Sequence, residues 1–235
     1  MKKLLLVMQF WDGDKESAMR VARFIADLES KHSEMADFLF VARFDALHHL
    51  ETVQYVAKKF NVHTAVSKRR GIGWPGGCND LFFGAMDWVY SQAIAKKIPE
   101  YKAAMLLEGD SCPLCPDWLR RLSENWDAAK VKVYGPLIEK PPHVNGNCLI
   151  SCDLEFLKWL TREKGGCSPQ GGWDYLLYRD FVRRGLANAP GMRSWWRVPE
   201  VTQETYDQLL KEGVYFLHGI KNDSLSGLVR ERFKV

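Results

Sequence analysis

"AAMLLEGDSCP", residues 103–113, is an apolar run that ends abruptly at Glu108 and Asp110, with Gly109 between them. Unbroken apolar character over 103–107 predicts a strand over 103–108 buried on both faces, the mark of a parallel sheet. Residues i and i+2 of a strand point to the same side, so this spacing aims the two carboxylates together. Ligands of parallel sheets gather at the carboxyl ends of the strands, where both acids would lie. Converging carboxylates repel unless a cation sits between them. A hard ion such as Mg²⁺ or Mn²⁺, held by one or two carboxylates, typically completes its shell with substrate phosphates. The stretch therefore points to a phosphorylated ligand; the other reading of the same residues is the solvated start of a loop.

The flanking sequence predicts the rest of that sheet. "KLLLVMQF" and "DFLFVARF" are strand-like, and "DKESAMRVARFIADLESK" places Ala18, Val21, Ala22, Ile25 and Leu28 on one helical face. A second stripe runs through Leu50, Val53, Ala57 and Phe60, followed by "HTAVS", a glycine-rich loop, a helix over 79–97, the strand 103–108 and a helix with Leu119, Leu122 and Trp126. Alternating strand and helix predict an α/β fold with a mostly parallel central sheet and helices on both faces. Beyond "VKVYGPLI" the texture changes. "HVNGNCLIS" predicts a strand, "DLEFLKWLTREK" and "WDYLLYRDFVRRG" predict helices, "MRSWWRV" follows, Thr202 caps a helix closed near Gly213, and "VYFLHGI" is a last strand before a polar tail. This second half is expected to elaborate the same sheet within one domain over 1–235.

Composition sets outer bounds. The 235 residues are 46% hydrophobic and 26% charged, the balance of a soluble globular chain, and 33 basic against 29 acidic residues permit an anionic partner without demanding one. The opening "MKKLLLVMQFWDGD" is read as a first strand, because acids rather than a small-residue cleavage site follow its apolar part. No segment has the length of a membrane span. Six scattered cysteines predict reduced thiols and a cytoplasmic setting. Cys112 and Cys115, with Cys148 and Cys152, leave a zinc site open beside the reading as buried thiols.

"GIGWPG", residues 71–76, satisfies G-x-G-x-x-G, yet it follows the third strand and carries Pro75 in the turn. Glu100 precedes the next strand instead of ending it, so a dinucleotide fold is disfavoured and Trp74, Gly76 and Asn79 are placed beside a nucleotide. Near the C-terminus, His218 ends an apolar strand three residues before Lys221. That pair suits one imidazole ligand and one positive charge for a departing diphosphate, and equally a rim histidine.

Taken together, "LLEGDS", "HVNGNCLISCDLEFL", "GGWDYLLYRDFVRRG" and "YFLHGIKND" resemble, in order and spacing over roughly residues 3–223, the GT-A fold glycosyltransferases. The resemblance implies a Rossmann-like architecture with a nucleotide-sugar-binding half over 1–138 and an acceptor-binding, metal-completing half over 139–235. It implies a D-x-D-like motif in which Asp110 and His218 hold a divalent cation, while Glu108 serves ribose or donor sugar and Lys221 the diphosphate of a nucleoside diphosphate sugar, UDP-linked by first expectation. Asp174, opening a helix, is implied as the general base of an inverting enzyme, or as a residue lining the donor sugar of a retaining one. Read without the resemblance, Asp174 is an acid favoured by a helix N-terminus.

The acceptor stays open among glycan, protein and a hydroxymethylated DNA base. Trp74, Trp173, Trp195 and Trp196 offer stacking platforms, and Arg193 and Arg197 flank two indoles in "RSWWR". Trp118 and Trp126 are assigned to the core. Two rivals are a nucleotidyltransferase, whose usual glycine-rich loop after the first strand is replaced here by "QFWDGDK", and a non-catalytic nucleotide- or glycan-binding protein.

Overall fold

The structure, a computed structural model, describes residues 2–164, 170–198 and 200–235, and of 196–198 the backbone alone. The chain runs β1 (Lys3–Phe10), α1 (Lys15–Leu28), β2 (Ala36–Ala42), α2 (Leu50–Val56), β3 (Val62–Val66), α3 (Gly76–Ile94), β4 (Tyr101–Leu107), β5 (Ser111–Pro113) and α4 (Trp118–Ala129). It continues with β6 (Val133–Gly135), β7 (Leu137–Glu139), β8 (Pro142–Val144), β9 (Leu149–Ser151), α5 (Leu154–Lys158), α6 (Trp173–Leu176), α7 (Tyr178–Arg184), β10 (Leu186–Asn188), β11 (Met192–Val198), α8 (Gln203–Lys211), β12 (Phe216–Ile220) and α9 (Ser224–Phe233).

Seven strands form the main sheet in the order β10-β6-β9-β4-β1-β2-β3. The four strands β3, β2, β1 and β4 pair in parallel, and β9 lies antiparallel between β4 and β6. The predicted α/β architecture with a mostly parallel sheet is the one the chain adopts. Alternate residues of β1 serve two cores, as the period of a strand requires. Leu4, Leu6 and Met8 pack with α1, α2, α4, α8 and α9 on one face; Leu5 and Val7 pack with α3, α5, α6 and α7 on the other.

The register aligns the strand ends. Met8 pairs with Leu107, Phe10 with Ala42, and Ala42 with Val66, so Trp11, Arg43, Ser67 and Glu108 leave the sheet along one carboxyl edge.

Several predicted elements differ from those observed. β12, expected in the main sheet, instead joins a small sheet of order β11-β12-β5. The predicted polar tail contains α9, whose Leu225 and Val229 are fully buried. In α2 the inward face carries Thr52 and Val56 while Leu50 is 68% exposed, and Thr52 accepts a hydrogen bond from Arg23 Nε at 3.0 Å across to α1. The single strand read in "HVNGNCLIS" is split into β8 and β9 by Asn145-Gly146-Asn147, and the helix after Gly172 into α6 and α7 at Leu177. Residues Trp159–Glu163 continue α5 as one π-helical turn. The division at 138/139 falls inside β7. No helix among the described residues is long and apolar enough to cross a membrane.

Candidate active site

Glu108 and Asp110 lie just past the end of β4, in a turn closed by Ser111 N–H donating to Glu108 O at 3.1 Å. Their convergence is not the i, i+2 alignment of one strand. It comes from β12, which pairs antiparallel with β5 and sets His218 opposite Ser111. His218 Nε2 then stands 3.0 Å from Glu108 Oε2 and 3.0 Å from Asp110 Oδ1. Lys221 Nζ contacts the other Asp110 oxygen.

Gly219 makes this approach feasible. Its φ is +104°, a side chain there would place Cβ 1.7 Å from Trp195 O, and its N–H donates to Asp110 O at 3.1 Å. Only glycine adopts that backbone at no steric cost.

Asp110 and His218 are buried, at 6% and 7% exposure, whereas Glu108 is open to solvent. Burial by itself would raise the Asp110 carboxyl, but hydrogen bonds and charge from His218 and Lys221 prevail and hold it down at about 2. For His218 burial would lower the imidazole, and Asp110 and Glu108 prevail to push it up to about 10. An imidazolium and an ammonium thus balance the two acids. A divalent ion suits the same donor set: one atom each from Glu108, Asp110 and His218, all within 4.8 Å of one another, the single such grouping among the described residues.

The side facing this acid turn is built by the glycine loop and α6. Asp174 sits in the first turn of α6 and is half-buried; its Oδ1 accepts from Tyr175 N at 2.9 Å. Burial pushes its carboxyl up, with a further push from Glu108 and an opposing pull from His143. The side chain of Asn79, the residue placed beside a nucleotide by sequence, acts as a clamp. Its amide donates to Gly171 O at 3.0 Å and accepts from Trp173 N at 2.7 Å, fixing the start of α6 from within α3. Trp74 is 75% exposed on the loop, and Gly76 opens α3 with no atom within 4 Å of where a Cβ would lie.

Other site neighbours carried no signal in the sequence analysis. Asp14 follows β1, accepts from Trp11 N at 2.8 Å and is pushed up to about 6, first by burial and then by Glu108. Arg43, buried at the end of β2, lies 4.9 Å from the Trp11 ring and pairs with Asp45. The signal available for both was position, since Arg43 directly follows a parallel strand and Asp14 ends the short loop after another.

Of the proposed aromatic platforms, Trp173 is buried and stacked on Phe82 at 3.7 Å, and Trp195 packs half-buried against the core. Arg193 is paired with Glu212 at 2.6 Å. The side chains of Trp196 and Arg197 lie outside the described residues. Trp118 and Trp126 are in the core as expected. Cys112 and Cys115 belong to one core layer and Cys148 to the other, so the C-x2-C pair and its supposed partners are separated by the sheet.

No protein-family model matches the chain, and its sequence matches no curated protein. Solved structures do match. The chain aligns over 98% of its length with 49% of the bifunctional glycosyltransferase WbbM, at a TM-score of 0.60 and 10% identity, and so spans about half of that protein. It aligns over 97% of its length with 95% of the galactosyltransferase LgtC, determined with donor and acceptor sugar analogues, at a TM-score of 0.55 and 9% identity. For the glycosyltransferase GlyE of Streptococcus pneumoniae TIGR4 the figures are 100%, 64%, 0.51 and 9%. The parallel sheet, the acid turn at its carboxyl edge and these likenesses together give the chain the GT-A-like fold of glycosyltransferases.

Proposed function

We propose that this protein is a metal-dependent glycosyltransferase that moves a hexosyl or pentosyl group from a nucleoside diphosphate sugar to an acceptor hydroxyl. The observation that carries the reading is the Glu108–Asp110–His218 cluster with Lys221 at the carboxyl edge of the sheet. Asp110 and His218 would hold Mn²⁺ or Mg²⁺, Glu108 the ion or the ribose, and Lys221 the diphosphate; Trp74 and Gly76 flank the nucleotide, with UDP the first candidate. The bound ion would neutralise charge on the diphosphate. In the reaction the acceptor oxygen bonds to the anomeric carbon as the bond from that carbon to the diphosphate oxygen breaks. Lys221 meets the charge building on the leaving phosphate. Asp174, its carboxyl raised by burial, takes the acceptor proton.

The acids Asp14, Glu108 and Asp174 around the site favour a neutral glycan or protein hydroxyl over DNA. Buried thiols suit a reducing, cytoplasmic compartment.

Melting of the protein with Mn²⁺, with UDP and with both tests this reading. The pair together should stabilise more than the sum of each alone, since phosphates complete the shell of the ion. Asp110→Asn should abolish that joint effect. Asp174→Asn should keep it while lowering release of UDP from a panel of UDP-sugars by about 10²-fold or more. Joint stabilisation that survives in Asp110→Asn would overturn the assignment.

A further inference from the structure

Between β8 and β9 the chain makes a tight turn, Asn145-Gly146-Asn147, whose Asn147 side chain reaches the acid turn while that of Asn145 reaches β11. Asn145 Oδ1 accepts from Asn147 N at 3.0 Å, and Asn145 Nδ2 donates to Ser194 Oγ at 3.0 Å. Ser194 is the register partner of His218 across β11 and β12, and its Oγ lies 3.2 Å from His218 Nδ1. Asn147, wholly buried, accepts through Oδ1 from Ser111 Oγ, which in turn accepts from Glu108 N at 2.9 Å. A Cβ on Gly146 would come within 2.8 Å of Glu108 Oε1. One turn of three residues is thereby wired to His218 on one side and to Glu108 on the other.

An imidazole presents a lone pair at Nε2 only when Nδ1 carries the proton, and the group facing Nδ1 selects that tautomer. Ser194 Oγ is positioned to accept from Nδ1–H, and the amide of Asn145 fixes where that oxygen sits. We infer that Ser194, held by Asn145, is the positioning residue that turns Nε2 of His218 toward Glu108 and Asp110, so that the segment after the β7–β8 hairpin completes the ion site without touching the ion. This inference rests on the reading of that cluster as an ion site. Asn145 acts through Ser194, and Ser194 through His218, so their effects on the ion are one effect and not two.

The test is Mn²⁺ binding by electron paramagnetic resonance in the presence of UDP. Ser194→Ala should weaken Mn²⁺ by about 10- to 100-fold, the range for groups that orient a ligating histidine. Ser194→Thr retains the hydroxyl and should restore binding to within a few-fold of wild type, which loss of packing alone would not do. Asn145→Ala should weaken Mn²⁺ less than Ser194→Ala, and the double variant should bind like Ser194→Ala alone, because coupled residues are non-additive. Unliganded melting temperatures establish folding; should Ser194→Ala not fold, Asn145→Ala compared with Ser194→Thr decides the matter. Mn²⁺ affinity unchanged in Ser194→Ala, or in Asn145→Ala beside a Ser194→Thr that binds Mn²⁺ as expected, overturns the positioning role. Additive losses in the double variant overturn the linkage through Ser194. A wild-type protein that binds no Mn²⁺ with UDP present overturns the ion site itself, a different result from a wild type that binds beside variants that bind equally well.

Discussion

The acid turn, residues 108–111, and the glycine loop, residues 71–76, face the same carboxyl edge but are built on opposite principles. In the turn, polar atoms are committed: Asp110 to His218, Lys221 and Gly219, Glu108 to His218 and Ser111. In the loop, Ile72 and Trp74 are 72% and 75% exposed, and Gly76 borders open space. Dipoles and charges fixed before a ligand arrives need no reorganisation, so the turn is suited to hold charge and the loop to admit ligands of varied shape.

The contrast breaks most visibly at Gly219, which holds β12 against the acid turn. Gly219→Ala forces a Cβ to 1.7 Å from Trp195 O at a φ of +104°. It should cost at least about 3 kcal/mol, roughly 6–12 °C in melting temperature, measured by calorimetry. A smaller loss would mean that the small sheet shifts freely and that the turn is less rigid than described.

Asp14 gives an intermediate effect. Its carboxyl, pushed up to about 6 from 3.8, favours the folded state while protonated, and that advantage is lost as pH rises through 6. Above that pH an ionised, half-buried Asp14 opposes folding. Asp14→Asn keeps an oxygen for Trp11 N and removes the charge, so it should stabilise the protein at pH 7 by about 1 kcal/mol after allowance for solvent screening. The gain should vanish below about pH 4, as denaturant melts at the two pH values would show. A gain independent of pH would assign the effect to packing instead of charge.

Gly76→Ala should do least to stability, within about 0.5 kcal/mol, because its Cβ meets nothing. Its sharper use is in binding. If the loop lies along the nucleotide, UDP should bind several-fold more weakly at unchanged melting temperature, and unchanged binding would move the nucleotide away from Gly76.

Legibility in the sequence followed the same divide. Strands β1, β2 and β4 were readable because each is buried on both faces and spells that out as an uninterrupted apolar run. Glu108, Asp110, His218 and Lys221 were readable as residue types, and the structure brings them together. The means of assembly was not readable, since β5 is three residues long and finds β12 about a hundred residues later. The roles of Ser194 and Asn145 were not readable for the same reason, each being an ordinary polar residue until the fold sets Ser194 against His218 and Asn145 against Ser194. Asn79 has a role that its place after a glycine loop did not signal: its amide is engaged by the backbone of Gly171 and Trp173, far along the chain. α9 was taken for a tail because only Leu225 and Val229 mark its buried stripe.

Leu107 ends a strand of the seven-stranded sheet, and Ser111 begins a strand of the three-stranded one. The two acids therefore sit on a seam, and the gap between their carboxylates reports how closely the two sheets are docked. Whatever draws Glu108 and Asp110 together tightens that docking, and by reciprocity whatever tightens the docking raises affinity at the acids. The seam makes the small sheet a lever on the site: pressure applied at its far edge, along β11, is felt in the spacing of the two carboxylates.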